Sequence, residues 1–478
     1  MRYTTFIVLV LWITSLTSSA QESIGIGISN YSPSNSLLLN PSSIVDSKTF
    51  LDIHLAGASV FVRNNFAYIP GGQASLTNPS SFGNIEEPGY NYGGGPFRAY
   101  TDILAQGPTI TATLGRHSFG LYTGFRTMAD VRGIGERTIR YVTEGFQYGP
   151  YIGEETRVRN LRVTAAGWAE FGLSYGTILH QQGSNMITAG IHVKRLIGVS
   201  GVGVRLNDWH FLVADSNRME TYNLRGRYGF REPAWNSGQG WGMDIGFTYK
   251  RTKGGVTNYV PHLPKGGCET CDYDYKLSVA LLDLGRISFD PEFFASTFDE
   301  NDTTNFDDFG SQNPEGAEEV VSLIEEGLGG SDSGETTNFR IVMPAAISAQ
   351  FDYNIGYNFY ANASLILGAP WRNSLGLQRA ALLSITPRYE IKRFEVALPI
   401  SLHEVRDPMI GAMVRLNSII IGTDNLGAWL GNNDIYGADI YFHVKYTIFK
   451  GFGCKEQKNR SKKRTRGGGG KIIPCASW

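Results

Sequence analysis

Residues 240–250 read GWGMDIGFTYK and alternate between two kinds of side chain. Large apolar residues occupy the odd positions from 241 to 249, whereas glycine, threonine or a charged residue occupies the even positions, Asp244 among them. Successive side chains of a β-strand point to opposite faces of its sheet, so a period of two predicts a strand with one apolar and one polar face.

The same alternation recurs from about residue 49 to about residue 449, for example in FEVALPISLH at residues 394–403. Each run is about ten residues long, which is enough for a tilted strand to cross a bilayer. A secreted soluble sandwich also alternates. Long strands, aromatic residues at strand ends, a polar second face and an export signal together favour a barrel in the outer membrane.

The export signal is MRYTTFIVLVLWITSLTSSA at residues 1–20. One early positive charge, an apolar run and small residues up to Ala20 predict a signal peptide cleaved after Ala20. The alternative is an uncleaved anchor helix, which the short apolar run disfavours. No later segment approaches about 18 uninterrupted apolar residues, so any crossing of a membrane is expected to use strands.

We expect an all-β fold, a transmembrane antiparallel β-barrel of about 14 to 16 strands over residues 49–450. Tight breaks at Gly115, near Ile355 and at residues 391–393 are assigned to the periplasm. The long segments 63–106, 128–162 and 289–338 then lie outside the cell. Residues 198–230 are either two strands or an external excursion. The polar strand faces are expected to line the lumen with Arg126, Asp244, Asn358, Asn362, Arg388 and Arg415.

Charge is balanced overall, with a formal net charge of −1, but it is segregated along the chain. The segment 289–338 is acidic and predicts a solvated extracellular loop, since it lacks the Asp-x-Asp-x-Asp-Gly pattern of a calcium loop. Residues 451–478 form a basic tail that is expected in the periplasm. Its cations, Lys462, Lys463, Arg464 and Arg466, could bind an acidic protein partner or anionic headgroups, or the tail could simply stay disordered. It has no interleaved aromatic residues that would suggest binding to nucleic acid.

Motifs for catalysis and cofactors are weak. Residues 172–176, GLSYG, match Gly-x-Ser-x-Gly, but they lie inside a predicted strand with no helix following, so we expect no enzyme and no catalytic residue. The eight histidines are scattered without metal-ligand spacing, so neither a metal nor another cofactor is expected. Cys268 and Cys271 form a Cys-x-x-Cys pair in a connection between strands, which predicts a small structural disulfide.

Several segments resemble a known group of proteins, among them NPSSIVDS at 40–47, GPTITATLGRHSFGLYTGFRTMADVRGI at 107–134, YKLSVALLDLGRI at 275–287 and MPAAISAQFDYNIGYNFYANASL at 343–365. They resemble uncharacterised Bacteroidota outer-membrane barrels that carry a domain of unknown function. Those barrels are similar in style to FadL-like transporters and to the PorV and PorP/SprF barrels of type IX secretion. The resemblance implies a fold and a location in the outer membrane of a Gram-negative cell, but no activity. The usual Asn-Pro-Ala of the family reads Asn40-Pro41-Ser42 here.

The resemblance also implies a role for residues 21–48. In FadL-like barrels a segment before the first strand folds into the lumen as a hatch. Pro41 fixes its own backbone and turns Asn40 away from helix, while the apolar run Leu37, Leu38 and Leu39 could pack against lumenal side chains. A static plug and a moving gate both remain open.

The leading hypothesis is a non-enzymatic outer-membrane barrel that serves as a scaffold or accessory of a surface or type IX secretion-related complex. Its contacts would be outer-membrane lipid and a protein partner in the periplasm or at the cell surface. The alternative is a FadL-like transporter of a small, possibly hydrophobic, ligand. A transporter needs a path or an apolar pocket in the lumen, whereas the lumen of a scaffold can be filled.

Overall fold

The computed structural model describes residues 23–75, 78, 88–93, 95–145, 148–215, 218–263, 270–289, 295–300, 304–307, 339–369, 375–431, 433–451 and 454. Within these residues the chain forms a closed antiparallel barrel of fourteen strands, inside the expected range. The barrel closes where the first strand pairs with the last, Leu51 opposite Ile448. The prediction of an all-β outer-membrane-type barrel is confirmed.

Some barrel strands are interrupted, so the described residues contain 23 strand segments. The first thirteen are β1 (Leu51–Asn64), β2 (Ala67–Tyr68), β3 (Gly89–Tyr90), β4 (Phe97–Gln106), β5 (Thr109–Leu114), β6 (His117–Ile134), β7 (Glu155–Gln182), β8 (Asn185–Val213), β9 (Arg218–Arg231), β10 (Gly238–Thr252), β11 (Tyr273–Phe289), β12 (Ala295–Glu300) and β13 (Thr304–Asp307). The others are β14 (Phe339–Val342), β15 (Ala346–Gly356), β16 (Phe359–Gly368), β17 (Leu382–Ile391), β18 (Phe394–Ala397), β19 (Ile400–His403), β20 (Asp407–Ile410), β21 (Ala412–Leu416), β22 (Ile419–Thr423) and β23 (Gly437–Ile448).

The interruptions divide barrel strands into two segments in line, namely β4 with β5, β14 with β15, β18 with β19, and β20 with β21. They fall at Pro108, Pro344, Pro399 and Gly411. Proline has no N–H to donate to a strand ladder, which accounts for three of these breaks.

One side of the barrel extends well beyond a bilayer. β7 and β8 have 28 and 29 residues, whereas a crossing needs about ten. The outer part of β8 pairs with β9, and β9 pairs with β12 and β13. Residues 198–213 and 218–230 therefore belong to two strands, as the first of the two alternatives predicted. β12 and β13 lie within the expected acidic loop 289–338, most of which lies outside the described residues.

The two ends of the barrel differ in their connections. One end has tight turns at residues 115–116, 183–184, 357–358, 392–393 and 417–418 and one longer connection, residues 253–272, and the other end has the remaining long connections. In outer-membrane barrels the short turns face the periplasm, so we refer to a periplasmic and an extracellular end. The residue alternation of the opening stretch is reproduced. Trp241 and Phe247 are 61% and 52% exposed on the outer face, whereas Asp244 is 2% exposed inside.

The helices of the described residues are short. They are α1 (Ile24–Gly27), α2 (Pro33–Ser36), α3 (Glu136–Glu144) and α4 (Leu426–Leu430), with 3₁₀ turns at Pro41–Ile44 and Gly149–Tyr151. Among the described residues no helix is long and apolar enough to cross a membrane.

The prediction that Asn358 lines the lumen is wrong. Asn358 is exposed in the tight turn between β15 and β16, and its φ of 67° lies in the left-handed region. Asparagine tolerates this conformation better than most residues do. The alternation of the strand does not continue through the turn, so the residue serves the turn and not the lumen.

Candidate functional site

Residues 23–48, which we call the inner segment, lie inside the barrel. Their hydrogen bonds reach side chains from many sides of the ring. The Ile24 N–H donates to Asp424 (3.0 Å) and the Ser29 hydroxyl to Glu395 (2.7 Å), while the Asn40 amide donates to the Phe247 carbonyl (3.3 Å). A hatch-like segment in the lumen, as predicted, is therefore part of the fold.

The predicted leucine run packs in two directions. Leu37 is fully buried in a cluster near the periplasmic end that contains Tyr122 and Met186, and Leu38 packs against the same cluster. Leu39 is buried in a separate cluster with Ile366 and other wall residues. The run thus attaches the inner segment to two walls of the lumen.

Asn40 and Pro41 form the tightest contact of the inner segment with the wall. The Asn40 side chain accepts hydrogen bonds from the backbone N–H and the hydroxyl of Ser42, both at 2.8 Å, and so caps the 3₁₀ turn that starts at Pro41. A Cβ added to Gly246 would lie 2.0 Å from the Asn40 Oδ1, and one added to Gly190 would lie 2.4 Å from the Pro41 carbonyl oxygen. The backbone can approach the wall only because these positions lack side chains.

These glycines belong to a row that crosses three strands. Gly176 on β7 is opposite Gly190 on β8, and Gly190 is opposite Gly246 on β10. A Cβ on Gly176 would lie 2.4 Å from Val45. The row therefore forms a flat seat for residues 40–45. Sequence reasoning missed it, although glycines in phase with the inward face were the available signal.

Ion pairs and hydrogen bonds hold both ends of the inner segment. Near its start, the Lys445 ammonium donates to Ser32 (2.7 Å) and pairs with Asp52 (3.0 Å). At its other end, Asp46 pairs with Lys250 (2.6 Å), and Lys48 pairs with Glu390 (3.3 Å). All of these partners project from the barrel wall, so the attachment is polar and noncovalent.

The connection at residues 253–272 also touches the inner segment at the periplasmic end. Tyr259 donates a hydrogen bond from its hydroxyl to Asp46, and burial raises the pKa of Tyr259 well above its usual value. The Nε2 of His262 lies 2.9 Å from the Ser47 carbonyl oxygen. Because a carbonyl oxygen can only accept a hydrogen bond, the ring proton is on Nε2. Burial lowers the pKa of His262.

Three of the predicted lumenal residues line the wall beside the inner segment. Arg388 forms a bidentate salt bridge with Asp352 (2.7 and 2.8 Å) and donates a further hydrogen bond to Glu390 (3.1 Å). Arg415 pairs with Glu395 (3.0 Å). Asn362 is buried and accepts a hydrogen bond from Ser364 (2.5 Å).

The other two predicted residues belong to an ionic cluster above the inner segment, on its extracellular side. Arg126 pairs with Asp283 (2.9 Å) and with Asp102 (2.6 Å). Lys194 bridges Asp244 (3.1 Å) and Asp283. Asp283 therefore sits at the centre of the cluster, where several buried cations surround it.

A further cation reaches this cluster from an extracellular connection that folds inward. Arg379 pairs with Asp283. Its segment, residues 375–381, is fixed to the end of β14 because Val342 donates to the Leu375 carbonyl and Leu377 donates to the Val342 carbonyl, both at 3.0 Å. Sequence reasoning missed Arg379, since it lies in a connection without periodicity.

Beyond the ionic cluster lies an apolar layer. Along β6 from the periplasmic end, Arg126 of the cluster is followed on the same face by Met128 of the layer. The layer consists of Phe61, Tyr100, Met128, Ala166, Trp168, Leu196, Ile287, Phe289, Phe339, Ile341, Met343, Leu375, Leu377 and Met409. From the periplasmic to the extracellular end, the lumen thus contains the inner segment, the ionic cluster and a mainly aromatic and aliphatic zone.

Two cavities adjoin the inner segment. One lies between it and the ionic cluster and is lined by Ile26, Leu38, Tyr122, Arg126 and Lys194, among others. The second is mainly polar, with hydroxyl and amide groups on its walls that include Ser42, Thr188, Thr248, Gln350 and Asn362. The inner segment is therefore bordered by free space on two sides.

Other predicted site residues cannot be placed. Cys268 and the tail residues Lys462, Lys463, Arg464 and Arg466 lie outside the described residues, as does the predicted signal peptide. Cys271 and Cys454 each belong to a disulfide. In the described part of the chain, no group of three or more His, Cys, Asp or Glu residues is arranged to hold a metal ion.

Comparison with solved structures finds channels and transporters at low similarity. They include a deletion mutant of the TodX monoaromatic hydrocarbon channel (10% identity, TM-score 0.42). The match covers 91% of this chain and 99% of the TodX chain. The toluene transporter TbuX of Ralstonia pickettii (9%, 0.39) covers 91% and 99%, and a FadL homologue of Pseudomonas aeruginosa (9%, 0.32) covers 91% and 98%. TM-scores below 0.5 support no conclusion about a ligand.

Comparison of sequences supplies the family. No curated protein matches this chain. The family described as "Family of unknown function (DUF5723)" matches residues 41–424. These residues include the 3₁₀ turn at Pro41–Ile44, the ionic cluster and most of the barrel. The chain therefore belongs to the DUF5723 family.

Proposed function

We propose that this protein is a non-enzymatic channel of the Gram-negative outer membrane that admits a small apolar ligand, with the inner segment acting as a displaceable plug. This corresponds to the transporter alternative raised by the sequence. The observation that carries the proposal is the apolar layer, because an aromatic and aliphatic zone inside a membrane barrel suits an apolar ligand better than water or ions.

The layer is larger than the apolar clusters around Leu37 and Leu39. Other inward-facing walls are rich in hydroxyl, amide and charged groups, as around the inner segment. In the layer, Trp168, Leu196 and Leu377 are fully buried. The indole N–H of Trp168 donates to Glu170 on its periplasmic side (2.6 Å), so the polar atom of this side chain is satisfied where the ionic cluster meets the layer.

The inner segment is suited to displacement because it is not part of the barrel ladder. Within the described residues, no strand pairs in register with residues 23–48, and the attachment consists of side-chain hydrogen bonds, ion pairs and apolar packing. A rearrangement of the segment would break these side-chain contacts and would leave the backbone hydrogen bonds of the barrel intact. Two small cavities border the segment.

The scaffold hypothesis and its link to type IX secretion stay predictions. The residues chosen for partner binding, such as Lys463 and Arg464, lie outside the described residues. No observation in the described part of the chain favours a protein partner over a small ligand.

A reversible tether tests the proposed movement. The hydroxyls of Ser42 on the inner segment and Thr248 on β10 lie 2.7 Å apart, so cysteines at both positions are close enough to form a disulfide. The assay is entry of the neutral apolar dye N-phenyl-1-naphthylamine into intact Gram-negative cells that express the protein, since the outer membrane retards this dye.

We expect faster dye entry with the wild-type barrel than with an empty vector. The oxidised Ser42→Cys/Thr248→Cys protein should fall to the vector rate, and reduction should restore entry. Each single cysteine variant, and the wild type under the same reductant, controls for effects on native disulfides. If mass spectrometry shows the tether closed while dye entry stays at the wild-type rate, the plug does not control passage.

A further inference from the structure

Five arginines on neighbouring strands face one another at the extracellular end of the lumen. Arg98 on β4 is opposite Arg132 on β6, and Arg132 is opposite Arg162 on β7. Arg162 is in turn opposite Arg205 on β8, which is opposite Arg227 on β9. Residues directly opposite in an antiparallel sheet have their side chains on the same face, so the five form one continuous arginine row.

The row faces the inside of the barrel. Arg98 and Arg132 both pair with Glu404 (2.8 and 3.1 Å), which belongs to the turn between β19 and β20 on another side of the ring. Along β6 the row residue Arg132 follows Met128 and Asp130 on the inward face. The arginine row therefore lies just beyond the apolar layer, at the extracellular entrance.

In the described part of the chain, Arg162 and Arg205 lack the carboxylate partners that Arg98 and Arg132 have. Arg98 and Arg132 have Glu404, and Arg132 also pairs with Asp130 (2.7 Å). For Arg162 and Arg205, no carboxylate of the described residues lies within ion-pair distance. Arg205 donates from Nε to the Asn207 side chain (2.9 Å), and the buried Nε of Arg162 has no hydrogen-bond partner among the residues that the structure describes.

The same two strands neutralise arginine elsewhere. Farther toward the extracellular tips, Arg157 on β7 meets Asp208 on β8 at 2.7 Å, and Arg159 lies 3.7 Å from the same carboxylate. Like charges placed directly opposite each other destabilise a sheet, and opposite charges stabilise it. The direct opposition of Arg162 and Arg205 is therefore an arrangement that folding alone disfavours.

We propose that Arg162 and Arg205 form a binding site for an oxyanion carried by an external ligand. Guanidinium groups bind carboxylates and phosphates through paired N–H donors, and two of them on adjacent strands can hold one oxyanion between them. Carboxylates and phosphates both accept such paired hydrogen bonds, so the test must distinguish between these two kinds of ligand. The site concerns binding at the entrance and does not depend on passage of a ligand through the lumen.

The test uses the melting temperature of the full chain, folded in detergent, at constant ionic strength. Inorganic phosphate and succinate are added separately in place of chloride. We expect one or both to raise the melting temperature of the wild type, because a ligand that binds only the folded state stabilises it. The more effective anion identifies the head group.

Arg162→Gln and Arg205→Gln are expected to raise the melting temperature in chloride, since each removes a like-charge contact. Each should also increase, by about tenfold or more, the anion concentration needed for the same rise in melting temperature. Arg157→Gln is the matched control on β7 and should leave the anion effect unchanged. Arg162→Lys keeps the charge without the paired donors and should retain only part of it.

Two results would overturn the proposal. One is a wild type whose melting temperature responds to neither anion. The other is a lower melting temperature of Arg162→Gln and Arg205→Gln in chloride, which would mean that groups of the chain itself already satisfy these arginines.

Discussion

Gly246 on β10 touches Asn40 of the inner segment so closely that even a methyl group would lie 2.0 Å from the Asn40 Oδ1. Asn40 holds its position because it caps the turn at Pro41 and bonds to the Phe247 carbonyl. The seat of the inner segment thus depends on the absence of a side chain in the wall.

The first prediction follows from this contact. Gly246→Ala should dislodge residues 40–45 and raise the ion conductance of the protein in planar bilayers. Gly242→Ala is the matched control on the same strand, because its Cβ would meet its nearest neighbour, the Lys194 Cε, at an ordinary 3.4 Å. Equal conductance of the two variants would contradict the role of the glycine as a seat.

The second prediction concerns the ionic cluster. Asp283→Asn should lower the free energy of unfolding by about 3–5 kcal/mol, because it leaves the buried cations Lys194 and Arg126 without their shared carboxylate. Glu154→Gln breaks an exposed pair with Arg137 and should cost less than about 1 kcal/mol. Urea unfolding in detergent, followed by tryptophan fluorescence, measures both changes.

The strand pattern and the place of the inner segment were predictable, whereas the lumenal contacts were not. Alternation places Arg126, Asp244 and Arg388 correctly because it is a local property of an extended backbone. It fails at Asn358, where a left-handed turn ends the extended conformation. It cannot indicate that Gly246 meets Asn40, since that contact joins residues about two hundred positions apart.

The same limit applies to charge. Each arginine of the arginine row appears in the sequence as one polar residue of one strand. That Arg162 is opposite Arg205 depends on the register of β7 with β8, which includes irregular pairings beside Gly167 and Ile178. A single bulge changes which residues are opposite, so strand periodicity alone could not reveal the row.

The third prediction concerns acid. His262 is 1% exposed, and burial lowers its pKa below the usual value of about 6.5. The folded protein favours the neutral His262 ring. Its contribution to the free energy of unfolding is therefore fully present above about pH 6.5 and is lost as the pH drops through the lowered pKa. The midpoint of urea unfolding should therefore decrease on acidification.

His262→Gln retains an N–H donor for the Ser47 carbonyl but does not titrate. The difference between wild type and variant isolates His262 from the other histidines. The wild type should lose more stability than the variant between neutral and mildly acidic pH. Parallel curves for the two proteins would show that His262 does not carry the effect.

The fourth prediction separates the plug from the ligand path. Met128 in the apolar layer and Met186 beside Leu37 are both fully buried, so Met→Gln at either position introduces a poorly paired amide at a cost of about 1–3 kcal/mol. The two substitutions should nevertheless change apolar dye entry in opposite directions. Met186→Gln weakens the packing that holds the inner segment and should speed entry, whereas Met128→Gln makes the ligand path more polar and should slow it. Normalising to the amount of folded protein in the outer membrane removes the shared stability loss, and changes of the same sign would show that the layer and the plug do not have separate roles.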